Sequence, residues 1–262
     1  MTIVFALNEN LLERYCQRRL PLCASWGTAR EMRKRNAHHT KQEYVDVTCK
    51  MIEEEGIENI SIRKIAQKVG CDSAVLYRHF TNLDYLLMVG CIRFLSDYIK
   101  DLAAIERIEE SAIDKAIDSW HVFSHYAFKD PKLYYHVFYD CDTQMFEDAI
   151  VEYFELFPFD PKDRSETFYG FFFLSLFSGS PHERNEYYFN RAAGEGSISP
   201  ADVNYLCHAC PYVFSGTLRE YALGNFGDID SDEAAAKCNY LVDRVIEPCR
   251  IDDHVPRIEG TL

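Results

Sequence analysis

No stretch of this 262-residue chain approaches the roughly eighteen consecutive apolar residues that a membrane-spanning helix needs. Its richest run, Phe171 to Phe177, is far too short. The N-terminus lacks the positive region of a secretory signal, and Asn8, Glu9 and Glu13 break its apolar start. The ten cysteines lack the spacing of a disulfide framework, which predicts a cytoplasmic protein with mostly buried thiols. Missing too are a phosphate-binding glycine loop, a nucleophile elbow and any Ser/His/Asp set at recognisable spacing. Nothing therefore points to an enzyme or to a cofactor. Strand-like alternation is absent, so the chain reads as all-α.

Positive charge is scarce, with 28 Lys and Arg against 42 Asp and Glu, a net of −14. The deficit is uneven. Residues 30 to 85 hold 10 basic and 9 acidic residues, whereas residues 86 to 262 hold 15 and 31. A near-neutral head and an acidic body predict two domains with different partners. The 47% apolar content is ample for a core and excludes wholesale disorder. Acid runs such as Glu53-Glu54-Glu55 and Glu109-Glu110 read as solvated helix faces.

In the head, Tyr44, Val47, Thr48, Met51 and Ile52 form a helical stripe that Gly56 stops. Ser61 offers an N-cap for a second helix, in which Ile62, Ile65, Ala66 and Val69 share a face and Gly70 closes the end. Asp72 then caps a third helix over "SAVLYRHF". Two short helices joined by a glycine turn are the pattern of a helix-turn-helix. In the third helix Val75, Leu76 and Phe80 are expected inside, while Ser73, Ala74, Tyr77 and Arg78 share the outer face with His79 at its edge. Small residues permit close approach to a major groove, and Arg and Tyr can bond bases or phosphates. An ordinary surface helix with a partly buried Tyr would give the same pattern.

The stretch "SIRKIAQKVGCDSAVLYRHFTNLDYLL" resembles the DNA-binding module of the tetracycline-repressor (TetR) family, and the similarity spans about residues 38 to 98. The resemblance implies an N-terminal three-helix DNA-binding domain joined by a long helix to a helical ligand-binding and dimerisation domain. It implies a homodimeric transcriptional regulator, usually a repressor, that a small ligand releases from a palindromic operator. Carried onto this chain, it assigns Arg63 to a base or phosphate. Ser73, Ala74, Tyr77 and Arg78 face the groove, His79 the backbone, and Thr81 and Asn82 a phosphate at the start of the next helix. Leu83 stands where the family commonly has Lys, and Val75 where Thr is common. Upstream, Arg30, Arg33, Lys34, Arg35 and Lys41, with His38 and His39, read as a DNA-contacting arm or a solvated leader. Met32 begins a plausible shorter protein, so residues 1 to 31 read as an extension. The expected domains are an extension with arm over 1–37, the head over 38–98 and the body over 99–262.

From Leu83 a 3.6-residue period runs through Leu86, Leu87, Cys91, Phe94, Leu95 and Tyr98, predicting one long helix from head into body. Asp130-Pro131, Asp160-Pro161, Ser199-Pro200 and Ser231 mark further helix starts, and Pro211 predicts a kink or break. The body is dense in aromatics. Trp120, Tyr126, Tyr135, Phe138 and Tyr169 are the candidate contacts for an aromatic or cationic effector, with bulky core as the alternative. His121 and His125, four apart, and Cys207 and Cys210, a lone CxxC, carry the rival reading of a metal or redox sensor or a protein-interaction module. The last two helical segments, about 200 to 224 and 232 to 248, are apolar enough to need a partner; in the family, equivalent helices form a four-helix bundle between subunits.

Overall fold

The computed structural model describes residues 40–140, 142–158 and 181–251. They are all-helical, with a single isolated bridge between Ile198 and Arg250 among the described residues. The chain divides into two compact units. The first holds residues 40–96 and 142–158, and the second 97–140 and 181–251.

The first unit opens with α1 (Lys41–Glu55), whose N-cap is a full capping box: Thr40 accepts from the Glu43 backbone and the Glu43 carboxylate accepts from that of Thr40. Gly56, at φ 81°, ends it, and the 3-10 turn Ile57–Asn59 leads to α2 (Ile62–Val69). Ser61 caps α2 and the left-handed Gly70 closes it. Then follow α3 (Ser73–Leu76) and α4 (Leu83–Cys91), capped by Asp72 and Asn82. Tyr44, Met51, Ile65, Leu76, Phe80, Leu86 and Met88 are buried and form the core of the head.

The long helix expected from Leu83 is interrupted. A 3-10 turn over Ile92–Leu95 separates α4 from α5 (Ser96–Ile105). The Cys49 thiol donates to the Gly90 carbonyl at 3.4 Å, occupying a helical acceptor where the ladder tightens. A side chain at Gly90 would meet Thr48, Cys49 and Ile52 at 3.5–3.8 Å, so the two helices approach closely there.

The domain boundaries also differ from the expected 38–98 and 99–262. The border falls at Ser96, and the helix α8 (Thr143–Leu156) groups with the head. Polar contacts hold it there. Glu152 accepts from Lys41 and, at 2.8 Å, from the Tyr85 hydroxyl. Gln42 donates to the Leu156 carbonyl. Arg93 lies 4.7 Å over the Phe157 ring while its guanidinium bonds Asp46.

The second unit contains α5, α6 (Ala112–Ala127), α7 (Pro131–Tyr135), a π turn over His136–Asp140, α9 (Pro181–Gly194), α10 (Pro200–Ala222) and α11 (Ser231–Ile246). Asp130 and Ser199 cap as expected, each followed by Pro, but Asp230 rather than Ser231 caps α11. The Asp160-Pro161 signal lies outside the described residues. Asp142 caps the start of α8 by accepting from the Gln144 N–H at 2.8 Å. Against the kink or break expected at Pro211, α10 runs unbroken through it. Pro211 is buried with Leu206, Cys207, Cys210 and Phe214, and that packing offsets the missing N–H bond.

Candidate nucleic-acid interface

Ser61 accepts from the Lys64 N–H at 3.3 Å, which places Arg63 in the first turn of α2. Gly70 adopts φ 84° with no atom near its missing side chain, so backbone conformation alone selects glycine there. Asp72 accepts from Ala74 at 2.8 Å and starts α3. The α-helix is shorter than "SAVLYRHF" suggests: after Leu76 the chain continues as a turn, with His79 and Phe80 both donating to the Leu76 carbonyl at 2.9 Å. The turn still presents the expected face. Ala74, Tyr77 and Arg78 are exposed, Ser73 is half-buried, and Leu76 and Phe80 anchor the segment inside. Val75 is only half-buried and does not complete the inner trio.

The charges on this face are sorted by pairing. Lys64 donates to Glu55 and to the Asn59 carbonyl, each at 2.7 Å, and Lys68 pairs with Glu54 at 2.8 Å. Lys41, expected in the arm, instead lies in the first turn of α1 and pairs with Glu152. Arg63 and Arg78 are exposed and engage no carboxylate among the described residues. These two guanidiniums are therefore available to an anion such as a nucleic-acid phosphate.

The remaining head candidates divide. Thr81 is exposed, and Asn82 spends its side-chain oxygen on the Tyr85 N–H at 2.7 Å. The Asn82 side-chain oxygen thus acts as a cap, and the Tyr85 N–H it takes is not left for an anion. His79 is half-buried, its ring 5.4 Å from that of Tyr44. Tyr44 in turn donates to the Cys71 thiol at 3.6 Å, and burial raises its hydroxyl to about 12. Residues 30, 33–35, 38 and 39 of the expected arm lie outside the described residues.

In the second unit Phe123 gathers a cluster of rings: Phe214 at 4.6 Å, Phe138 at 4.9 Å, Tyr98 at 5.3 Å, Tyr134 at 5.9 Å and Trp120 at 6.0 Å. Of the effector candidates, Trp120 and Phe138 are buried in this cluster and Tyr126 joins it through Tyr98 at 5.9 Å. Tyr135 sits instead beside Tyr139 at 5.5 Å, and Tyr169 lies outside the described residues. Tyr98, which the sequence places in a helical stripe, Tyr134, one of the body's many aromatics, and Asp101 are not among the five effector candidates. Tyr98 and Asp101 are three apart on α5, a spacing that shares a helix face and could have flagged them.

The residues of the rival reading are drawn apart. His121 Nε2 lies 2.9 Å from Asp243, whereas His125 Nε2 meets the Lys129 ammonium at 2.7 Å. No group of three His, Cys, Asp or Glu side chains suited to a metal occurs among the described residues. Cys207 and Cys210 are free and buried, and burial pushes the Cys207 thiol up to about 12. Such thiols are poor nucleophiles. No helix among the described residues is long and apolar enough to cross a membrane.

Residues 45–87 match the family model of bacterial regulatory proteins of the tetR family. An HTH-type transcriptional regulator of Staphylococcus aureus strain USA300 is 38% identical over 73 residues, and one of strain bovine RF122 / ET3-1 is 32% identical over 73 residues. Each match takes in 28% of this chain, and the chain spans 40% of the length of these relatives. A crystal structure from Syntrophomonas wolfei described as a TetR-family transcriptional regulator aligns with TM-score 0.50 and 12% identity. That alignment covers 79% of this chain and 94% of the other, a likeness of fold.

Proposed function

We propose that this chain, whose residues 45–87 form a tetR-family head, is a sequence-specific DNA-binding transcriptional regulator. In this reading it is a ligand-released repressor that acts as a homodimer on a palindromic operator. The observation that carries the DNA-binding part is the exposed face of Ala74, Tyr77 and Arg78, fixed from below by Leu76 and Phe80 and flanked by the unpaired Arg63. Tyr77 and Arg78 meet base edges or phosphates, and Arg63 adds a phosphate contact.

Dimerisation is assigned to α10 and α11. Tyr205 and Tyr212 on α10, Leu223 just past its end and Leu241 on α11 are large and exposed, which favours a partner copy over solvent. A two-fold axis there would set two heads one helical turn of DNA apart. Effector binding would favour the conformer whose heads no longer match that spacing, and its differential affinity sets how far DNA binding shifts.

A gel shift at stated salt, with DNA flanking the chain's own gene, tests this reading. A complex of the size of two chains per palindrome is expected. Binding that ignores DNA sequence, or a complex with one chain, contradicts it.

A further inference from the structure

We propose that Lys41 and Tyr85 form an anion site on the head, which the Glu152 carboxylate occupies in this structure and which a DNA phosphate takes in its place. Each oxygen of Glu152 has its own donor. The Lys41 ammonium pairs with Oε1, and the Tyr85 hydroxyl donates to Oε2 at 2.8 Å. The two donors belong to the first turns of α1 and α4, whereas α8 brings the acceptor from 111 residues beyond Lys41 and 67 beyond Tyr85. An ammonium and a hydroxyl meeting two oxygens of one anion are the donors that side chains offer to a phosphate.

The place of the pair selects the anion. The Lys41 ammonium lies 5.5 Å from the centre of the Phe80 ring, and Phe80 ends the segment that holds out Tyr77 and Arg78. The Tyr85 backbone N–H is tied to Asn82, which is exposed beside the exposed Thr81. Both donors therefore adjoin the end of the recognition segment, where a DNA backbone would pass. The Lys41 side chain is 37% exposed and that of Glu152 15%. An ion pair open to solvent to this degree shifts an equilibrium by about fivefold at most, so a phosphate can displace the carboxylate. Glu152 is thus an internal stand-in for phosphate. While α8 is docked, it cancels one positive charge of the head and holds DNA binding below what Lys41 could support.

This latch rests on the DNA-binding reading, and a double-mutant cycle separates the two. The full chain, Glu152→Gln, Lys41→Ala and the double variant are titrated with a fluorescent duplex flanking the chain's own gene at several salt concentrations. Glu152→Gln removes the charge and keeps an oxygen for the Tyr85 hydroxyl. It should tighten binding about two- to fivefold and steepen the log–log salt slope by about 0.9, the increment of one phosphate contact. Lys41→Ala should change the affinity of the parent by less than about twofold, yet cancel the whole gain in the Glu152→Gln chain. Tyr85→Phe in that chain should cancel part of the gain, because it removes the second donor. An unchanged slope in Glu152→Gln overturns the latch and leaves DNA binding standing. So does a Lys41→Ala loss of equal size in both backgrounds, which a general effect of charge would give. Absence of binding by all four chains overturns the DNA-binding reading and the latch with it.

Discussion

Leu76 and Tyr77 are neighbours in the chain and opposites in exposure: Leu76 is 0% exposed and Tyr77 57%. The turn that follows Leu76 places them so, because the Leu76 carbonyl takes two N–H groups while its side chain fills the head core. One residue anchors the recognition segment and the next is held out from it. Structure and interface can therefore be separated by substitution at adjacent positions.

Leu76→Ala should cost about 2–5 kcal/mol by opening a cavity among buried side chains. Tyr77→Ala should stay within about 0.5 kcal/mol, since the ring is mostly in solvent. Urea unfolding of the two variants beside the parent measures both. Equal losses would mean that Tyr77 is a core residue.

Asn82→Ala should lower stability by about 1 kcal/mol through loss of the bond to the Tyr85 N–H. Asn82→Asp should retain the cap and yet weaken DNA binding, because it adds a negative charge where a phosphate is expected. Thermal unfolding and a binding titration together distinguish the cap from a direct contact.

Leu83→Lys should tighten DNA binding and steepen its salt dependence by about 0.9 in log–log slope, the increment of one added phosphate contact. Leu83 is half-buried at the first position of α4, so the longer side chain can reach solvent. Affinity measured at several salt concentrations reads the slope directly. An unchanged slope would place residue 83 away from the phosphates.

Burial raises the Cys49 thiol from 9.0 to about 11 and that of Cys207 from 9.0 to about 12. Above the unfolded value the unfolded chain loses these protons while the folded chain keeps them, so the native state binds more protons. Their contribution is thus complete below about pH 9 and declines as pH rises toward 11–12. Melting temperature should fall over that window, and the two thiols should resist iodoacetamide at pH 8 until the chain is unfolded. Rapid native labelling, read by mass spectrometry, would contradict the burial.

Much of the head was legible because its signals are local. Ser61, Gly70 and Asp72 act through bonds within four residues, so their spacing alone marks the turn. The 3-10 turn at Ile92–Leu95 and the docking of α8 were not legible. Each depends on partners far along the chain: Cys49 meets Gly90, and Lys41 meets Glu152, 111 residues away. The pairing of His121 with Asp243, 122 residues on, likewise outweighed the local i, i+4 relation with His125. In the body the aromatics were visible, but no periodicity could set Tyr98, Tyr134 and Tyr126 beside one another.

The most direct measurement is the affinity of the parent, Tyr77→Ala and Arg78→Ala for DNA flanking the gene, by fluorescence anisotropy at one salt concentration, with melting temperatures alongside. DNA recognition through the exposed face predicts a loss of roughly tenfold or more for Arg78→Ala and for Tyr77→Ala, with melting temperatures unchanged. Parental affinity in both variants would contradict it.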